Sequence, residues 1–221
     1  MSSILNELAK KHGTDKSSEI HNYCVKYEKY LPFERYNRLN IMEIGVQGGH
    51  SLRTWKDFYY RSQILGIDIN PECNQYGEER ITIEIGSQAD GKFLSNIKLQ
   101  YGPFDMILDD GSHINEHVIF SFENLWDSIK SGGVYVIEDV QTSYYDSYGG
   151  GRYKQGTMME YFKGITDEVN FFGETLENFH FPLARREDEL DKQFEKKGYK
   201  YIGTQIESIN FLNGIIIITK R

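Results

Sequence analysis

The sequence predicts a doubly wound α/β fold with a seven-stranded sheet whose last two strands form a terminal antiparallel hairpin. Between residues 41 and 138, short apolar runs alternate with amphipathic helical patterns, which is typical of parallel strands joined by helical crossovers. Two further β-rich runs, residues 199–206 and 211–219, end the chain and predict the hairpin. A length of 221 residues is enough for one domain with a substantial apolar core.

Composition narrows the classes of partner. Lys and Arg total 25 against 33 Asp and Glu, a formal net charge of −8, which argues against a nucleic acid and favours a small neutral or cation-assisted substrate. The two cysteines, Cys24 and Cys73, lack the CxxC spacing, so neither a disulfide framework nor a cysteine zinc site is predicted. Because no signal peptide or membrane-spanning run is visible, we expect a cytoplasmic location and no membrane partner. The sequence does not decide whether the chain forms a homo-oligomer.

The chain is predicted to begin with a helical cap, residues 1–32, followed by the main domain, residues 33–221. Residues 2–31 have a helical pattern in two stretches, and Ser3 is a suitable N-cap for the first. Pro32 is expected to end this region because proline cannot continue a helix.

Strands and helices then follow in alternation. Strands are predicted at residues 41–45, 64–69, 81–85, 104–109 and 134–138, and helices at residues 51–60, near 92–97 and around 118–129. In the helices, apolar residues recur at helical spacing, so one face of each can pack on the sheet. The sequence Ser131-Gly132-Gly133 predicts a helix end and a turn before the fifth strand.

The segment 141–157 interrupts this rhythm. Four tyrosines surround Gly149-Gly150-Gly151 in a stretch that favours no regular element, so we expect a mobile loop or lid. A helix over Met158–Val169 is predicted next, followed by the closing hairpin.

A glycine-rich turn follows the first predicted strand. The turn, Glu43-Ile44-Gly45-Val46-Gln47-Gly48-Gly49, would let the backbone approach a ligand closely, although a plain tight connection is as good an interpretation. Asp68 ends the second strand about 20 residues on, where a carboxylate can accept both ribose hydroxyls of an adenosine moiety. Gln47 and His50 stand where GxGxxG has glycines, which disfavours a pyrophosphate-bearing cofactor.

The loop after the third strand is a candidate for the adenine site. Ser87-Gln88-Ala89-Asp90 would lie beside the adenine in a sheet of this order, or it could simply cap the next helix. The predicted cofactor-binding residues are Glu43, Gly45, Gly49, Asp68, Ser87, Gln88 and Asp109.

Acidic residues cluster after the fourth and fifth strands, which end in Asp109-Asp110-Gly111-Ser112-His113 and Glu138-Asp139. Since ligands bind at the carboxyl ends of parallel strands, these carboxylates should share one edge of the sheet. A bound cation would relieve their mutual repulsion, and Mg²⁺ or Mn²⁺ prefers such oxygen ligands. Asp110, Glu138 and Asp139 are therefore the predicted metal ligands. Two helix caps are the alternative.

His113 is the candidate general base, because a neutral imidazole can take the proton of a hydroxyl whose pKa a metal lowers. It could equally cap the next helix. The residues His113 to His117 also match the inverted zinc-protease pattern HxxEH. That pattern needs both histidines on one helix face, whereas His113 lies in a turn where the helix only begins, so we expect His117 to be an ordinary helix residue.

The chain resembles the metal-dependent sugar O-methyltransferases and the related cephalosporin hydroxylase-like family, which have the Rossmann-like class I methyltransferase fold. The matching residues are His12-Gly13-Thr14-Asp15-Lys16, Glu43-Ile44-Gly45, Asp68, Gly86 to Asp90, Asp109 to His113, Glu138-Asp139 and Ser208 to Phe211. The resemblance implies S-adenosylmethionine as the cofactor, Mg²⁺ at Asp110, Glu138 and Asp139, and His113 as the base. Ser87 departs from the family pattern, where an acid is expected.

The leading hypothesis is thus O-methylation of a sugar, sugar nucleotide or glycosylated metabolite. The helices before Pro32 and the tyrosine-rich loop would supply the acceptor contacts, with Tyr144 and Tyr145 as candidates for stacking on a sugar ring. A second hypothesis is an inactive homologue that binds the nucleoside only. A third, a nicotinamide-dependent oxidoreductase, is disfavoured by the missing GxGxxG.

Overall fold

The computed structural model describes residues 3–169 and 201–221, which form one seven-stranded sheet in the order β3-β2-β1-β4-β5-β7-β6. The strands are β1 Asn40–Ile44, β2 Gln63–Asp68, β3 Ile81–Ile85, β4 Phe104–Asp109, β5 Ile129–Glu138, β6 Ile206–Leu212 and β7 Ile215–Lys220. The first five are parallel, whereas β7 is antiparallel to both β5 and β6. The predicted fold class is confirmed.

Helices connect the parallel strands and cover both faces of the sheet. They are α1 Ile4–His12, α2 Cys24–Tyr30, α3 His50–Phe58, α4 Gly91–Tyr101, α5 Asn115–Leu125, α6 Met158–Val169 and the short α7 Tyr201–Thr204. Within residues 3–169 and 201–221, no helix combines the length and the apolar character needed to cross a membrane.

The core consists of two apolar clusters, one on each face of the sheet. On one face the strands pack against α1, α2 and α3, with Leu5 and Trp55 fully buried. On the other face they pack against α4, α5 and α6, with Phe122 at the centre of four aromatic contacts. Alternate residues of a strand point to opposite faces, so Ile41 belongs to the first cluster and Met42 to the second.

Strand β7 illustrates why the sheet must be covered on both sides. Its four consecutive isoleucines, Ile215–Ile218, are all fully buried, two in each cluster. A half-exposed antiparallel strand would alternate apolar and polar residues, whereas a continuous apolar run is typical of a strand buried on both faces.

The N-terminal region is less helical than the sequence predicts. Helix α1 begins after Ser3, whose hydroxyl accepts the Asn6 N–H as an N-cap, and it ends at Gly13 with φ +77°. Residues 13–23 form turns instead of the predicted helix, since the left-handed Gly13 redirects the chain. The division into a cap of residues 1–32 and a domain of residues 33–221 stays a prediction.

Two boundaries at the antiparallel end also differ from the predictions. Strand β5 begins at Ile129 and continues through Gly132-Gly133, so the predicted turn is an irregularity within the strand, where Gly132 has φ +75°. The predicted first arm of the hairpin, residues 199–206, is wrong: residues 201–204 are helical, and residues 199 and 200 lie outside the described part. The two-residue turn is Asn213-Gly214, the favoured hairpin pair, with Leu212 paired to Ile215.

The tyrosine-rich segment contains two short 3₁₀ helices, Val140–Tyr144 and Asp146–Tyr148, and packs against the rest of the chain. Thr142 and Ser143 are buried, and Asn115 at the start of α5 donates its side-chain N–H to the Tyr148 carbonyl at 2.9 Å. The mobility expected for residues 141–157 stays a prediction, while the expected lack of regular elements is wrong for the part up to Tyr148, which contains the two 3₁₀ helices.

Candidate active site

A cavity of about 610 Å³ lies at the carboxyl ends of the parallel strands. The strand order reverses between β1 and β4, because the chain runs from β1 to β2 and β3 on one side and from β4 to β5 on the other. Such a switch point separates the flanking loops and opens a crevice. The cavity wall includes Asp68 after β2 and Asp110, His113 and Asp139 after β4 and β5. Three strand spacings, about 14 Å, separate the ends of β2 and β5.

The glycine-rich turn lies in the middle of this crevice. Gly45 has φ +94°, and a Cβ atom there would lie 2.2 Å from the Asp110 carbonyl oxygen, so no other residue fits. The turn thereby brings the β1 and β4 loops into direct contact. Gly49, predicted to bind the cofactor, is instead the N-cap residue of α3 with φ +67°, and it does not line the cavity.

Asp68 is held in place by backbone donors. Its Oδ2 accepts the N–H groups of Val46 at 2.8 Å and Gln47 at 3.2 Å, and its Oδ1 accepts that of Asn70 at 2.8 Å. Burial alone would raise the pKa of Asp68, but these three donors lower it below its ordinary value. The side chain is therefore a fixed carboxylate on the cavity wall.

Gln88 and Asp109 form one buried unit that joins the loops after β3 and β4. The Gln88 amide donates to Asp109 Oδ1 at 3.1 Å and accepts the Ser112 N–H at 2.7 Å. Asp109 also accepts hydrogen bonds from Ser121 and Tyr135, and burial raises its pKa. Gln88 lines the cavity, whereas Asp109 does not line it and supports Gln88, so direct contact of Asp109 with the cofactor stays a prediction.

The loop that contains Ser87 both lines the cavity and caps a helix, so the two interpretations of its sequence are compatible. Ser87 lines the cavity, and its hydroxyl accepts the Ala89 N–H at 3.1 Å. Asp90 is the N-cap of α4, accepting the N–H groups of Lys92 and Phe93. Asp90 therefore provides the helix cap that was the alternative interpretation of this loop.

Asp110, His113 and Asp139 converge at the rim of the cavity. One donor atom from each lies within 4.8 Å of the others, the spacing of a possible metal site. His113 Nε2 is 3.9 Å from Asp110 Oδ1 and 3.9 Å from Asp139 Oδ2. His113 has φ +57° and precedes α5, so the two histidines of the HxxEH pattern do not share a helix face.

Glu138 is not part of this group and contacts a buried lysine that the sequence interpretation did not assign to the site. Lys16 Nζ lies 2.7 Å from Glu138 Oε2 and 3.7 Å from Glu43 Oε1, and it also hydrogen-bonds Asp110 Oδ2. Burial lowers the pKa of Lys16, but the three carboxylates raise it well above its ordinary value, so the ammonium stays charged. The sequence did contain a signal for Lys16, since the motif His12 to Lys16 is part of the family resemblance, but the resemblance assigned no function to the lysine.

Glu43 has one oxygen that receives no hydrogen bond and lies 3.7 Å from the Lys16 ammonium. Its Oε2 accepts the Ser51 hydroxyl at 3.0 Å, whereas Oε1 is buried and has no hydrogen-bond partner among the described residues. Burial raises the pKa of Glu43 to about 7, which reflects the cost of an incompletely solvated carboxylate. Because Glu43 lines the cavity, a donor entering the cavity could complete its hydrogen bonding.

Two tyrosines from the N-terminal region hold the remaining acids. The Tyr23 hydroxyl donates to Asp139 Oδ1 at 2.6 Å, and the Tyr27 hydroxyl hydrogen-bonds Glu138 Oε1. Burial would raise the pKa of Asp139, but Tyr23, Gln141 and His113 together lower it. Neither tyrosine was predicted as a site residue, because the sequence pattern indicated only a helical stretch before Pro32.

The tyrosine-rich segment touches His113 through a different tyrosine from those predicted. Tyr148 places its ring 6.4 Å from the His113 ring, and Thr142 Oγ1 donates to the His113 carbonyl. Tyr144 and Tyr145 are 47% and 52% exposed and do not line the cavity. Their stacking on an acceptor sugar stays a prediction.

The fold and this crevice define the chain as a class I methyltransferase domain. Residues 42–140 match the family model described as a methyltransferase domain. The chain is a homologue of O-methyltransferases: it is 40% identical over 153 residues to demethylmacrocin O-methyltransferase of Streptomyces fradiae, covering 66% of this chain and 38% of the relative. It is also 39% identical over 175 residues to mycinamicin VI 2''-O-methyltransferase of Micromonospora griseorubida. That match covers 75% of this chain and 44% of the relative.

Solved structures agree with this assignment. The methyltransferase MycE from the mycinamycin biosynthetic pathway, in complex with Mg and SAH, superposes with a TM-score of 0.81 at 31% identity, covering 98% of this chain and 54% of MycE. A caffeoyl-CoA O-methyltransferase-like structure from Staphylococcus aureus, at 17% identity and a TM-score of 0.55, shares the fold. The chain spans less than half the length of the two curated relatives above.

Proposed function

We propose that this chain is an S-adenosylmethionine- and divalent-metal-dependent O-methyltransferase that acts on a hydroxyl of a sugar, sugar nucleotide or glycosylated metabolite. One observation carries the proposal: a single cavity joins the fixed carboxylate of Asp68 to the cluster of Asp110, His113 and Asp139. The first is suited to the ribose of the cofactor and the second to an acceptor hydroxyl.

The residues around Gly45 fit the cofactor. Glu43 Oε1, which receives no hydrogen bond, can accept one from the ammonium of the methionine moiety, and Asp68 can accept the ribose hydroxyls. Gln88 and Ser87 line the wall where the adenine would lie. S-adenosylmethionine would supply an already activated methyl group, so the protein's main contribution is to position the acceptor.

The acidic rim fits a hard divalent cation. Asp110 and Asp139 present oxygen donors, the ligands that Mg²⁺ and Mn²⁺ prefer, and we retain Glu138 as the proposed third ligand. In the described structure both Glu138 oxygens are hydrogen-bonded, to Lys16 and Tyr27. A cation held here would stabilise an acceptor oxygen as it loses its proton.

His113 is proposed as the general base. Its Nε2 faces the space between Asp110 and Asp139, so it can accept the proton of a hydroxyl held between these carboxylates. Tyr148 packs edge-on beside the His113 ring, and the hydrogen bond from Thr142 fixes the His113 backbone.

The relatives support the acceptor class. Their names specify methylation of glycosylated compounds, among them an olivosyl-oleandolide and rhamnosyl-tetracenomycins. We therefore propose a small glycosylated acceptor, a cytoplasmic location and no nucleic-acid partner.

A methyl-transfer assay tests this function. The purified chain is incubated with methyl-labelled S-adenosylmethionine, MgCl₂ and a panel of glycosylated macrolides and simple glycosides. We expect transfer that EDTA abolishes and that His113→Ala reduces by about 100-fold or more. His12→Ala is the matched comparison for His113, because His12 pairs with Asp57 and does not line the cavity. Transfer that survives both EDTA and His113→Ala would refute the mechanism, and cofactor binding without transfer would favour an inactive homologue.

A further inference from the structure

Lys16 occupies the inner side of the acidic cluster. The lysine is only 3% exposed, and its ammonium contacts three carboxylates, those of Glu43, Asp110 and Glu138. A buried ammonium needs such partners, because burial without them would cost several kcal/mol. The Lys16 ammonium is therefore a positive charge already bound to Asp110 and Glu138, two of the proposed metal ligands.

Asp110 is shared between the two sides of the cluster. Its Oδ2 bonds Lys16, while its Oδ1 faces His113 at the rim. Glu138 is bound more completely, with Oε2 on Lys16 and Oε1 on Tyr27. A divalent ion that uses these carboxylates must therefore share them with Lys16 or displace its ammonium.

We propose that Lys16 is a positioning residue whose ammonium competes with the divalent cation for Asp110 and Glu138. This inference rests on the proposed metal-dependent function. Lys16 bridges the carboxylates of Asp110 and Glu138 and neutralises part of their charge. The same positive charge opposes the entry of the ion, so Lys16 keeps metal binding weak and reversible.

The backbone of Lys16 is fixed independently of its side chain. Its carbonyl accepts the N–H groups of Tyr23 at 2.9 Å and Cys24 at 3.1 Å, at the start of α2. Removing the charge should therefore leave the turn in place, and the competition depends on the side chain alone.

Mn²⁺ binding to the purified chain tests the proposal. Titrations followed by calorimetry and by electron paramagnetic resonance compare the wild type with Lys16→Met, which keeps length and removes charge. We expect Lys16→Met to bind Mn²⁺ at least about tenfold more tightly, because a positive charge close to the ion is gone. Lys11→Met is the matched control: Lys11 pairs with Asp57, outside the cluster, and its change should leave the affinity within about threefold.

A merely structural lysine would give a different result, since its loss would disorder the carboxylates and weaken Mn²⁺ binding. Equal or weaker binding by Lys16→Met, with tight wild-type binding, overturns the competition but leaves the proposed function standing. No Mn²⁺ binding by either protein overturns both. If thermal unfolding shows that Lys16→Met does not fold, Lys16→Gln takes its place with the same expected gain.

Discussion

At the scale of single residues, the site depends on acids that are held by different kinds of partner. Asp68 is bound by backbone N–H groups, Asp139 by a tyrosine hydroxyl, and Glu138 by a lysine. One oxygen of Glu43 receives no hydrogen bond. The hydrogen bonds of the other acids fix their orientation toward the cavity, and the free hydrogen-bonding capacity of Glu43 marks a further position for a donor of the ligand.

Asp68 is expected to control binding of the cofactor. Asp68→Asn replaces one acceptor oxygen by a donor, so the ribose and the glycine-rich turn both lose hydrogen bonds. We expect affinity for S-adenosylhomocysteine, measured by calorimetry, to fall by about 10- to 100-fold. Glu72→Gln, in the neighbouring loop, is the control and should change little. Equal affinities of Asp68→Asn and wild type would remove Asp68 from the cofactor site.

Glu43 is expected to make stability depend on pH in the absence of ligands. Its pKa is about 7 in the folded chain against an ordinary 4.5, so the folded state binds the proton more strongly. The stabilisation by this proton is complete below pH 4.5 and is lost as the pH rises through 7. Relative to Glu43→Gln, the unfolding free energy of the wild type should fall by up to about 3 kcal/mol across that window. Denaturant unfolding in EDTA measures it, and pH profiles that run parallel would contradict the assignment.

At the scale of elements, most of the fold follows from periodicity, whereas its exceptions follow from glycines. The predicted bounds of β3 and β4 are confirmed at both ends, because each is a short β-rich run flanked by a charged residue, a glycine or a proline. The turn at Asn213-Gly214 was overlooked, although this pair is a strong local hairpin signal. Its apolar neighbours on both sides suggested one long strand instead.

The hairpin turn also contacts the site, because a Cβ on Gly214 would lie 2.5 Å from the Tyr23 hydroxyl oxygen. Gly214→Ala must adopt φ +82° and displace Tyr23, so we expect a loss of about 2–4 kcal/mol of unfolding free energy. Gly132→Ala is the matched control, with φ +75° and no described atom within 4 Å of the new Cβ, and should lose only about 1 kcal/mol. Urea denaturation compares them. Equal losses would mean that the contact with Tyr23 carries no energy.

At the scale of the whole molecule, the site is assembled from distant parts of the chain. The acids after parallel strands were predictable, since strand ends share one edge of a sheet. Lys16, Tyr23 and Tyr27 were not, because they reach the acids from turns and a helix whose packing on the sheet no local pattern reveals. Periodicity reports which face of an element is buried, but not which other element covers it.

The central claim is that one cavity places a divalent cation beside the acceptor end of an adenosine-type site. Crystals grown with S-adenosylhomocysteine and Mn²⁺, measured for anomalous scattering, test it most directly. We predict one manganese peak bound by Asp110, Glu138 and Asp139 and facing His113, together with ribose density on Asp68. An absent peak, a peak away from these acids, or a nucleoside bound elsewhere would contradict the account.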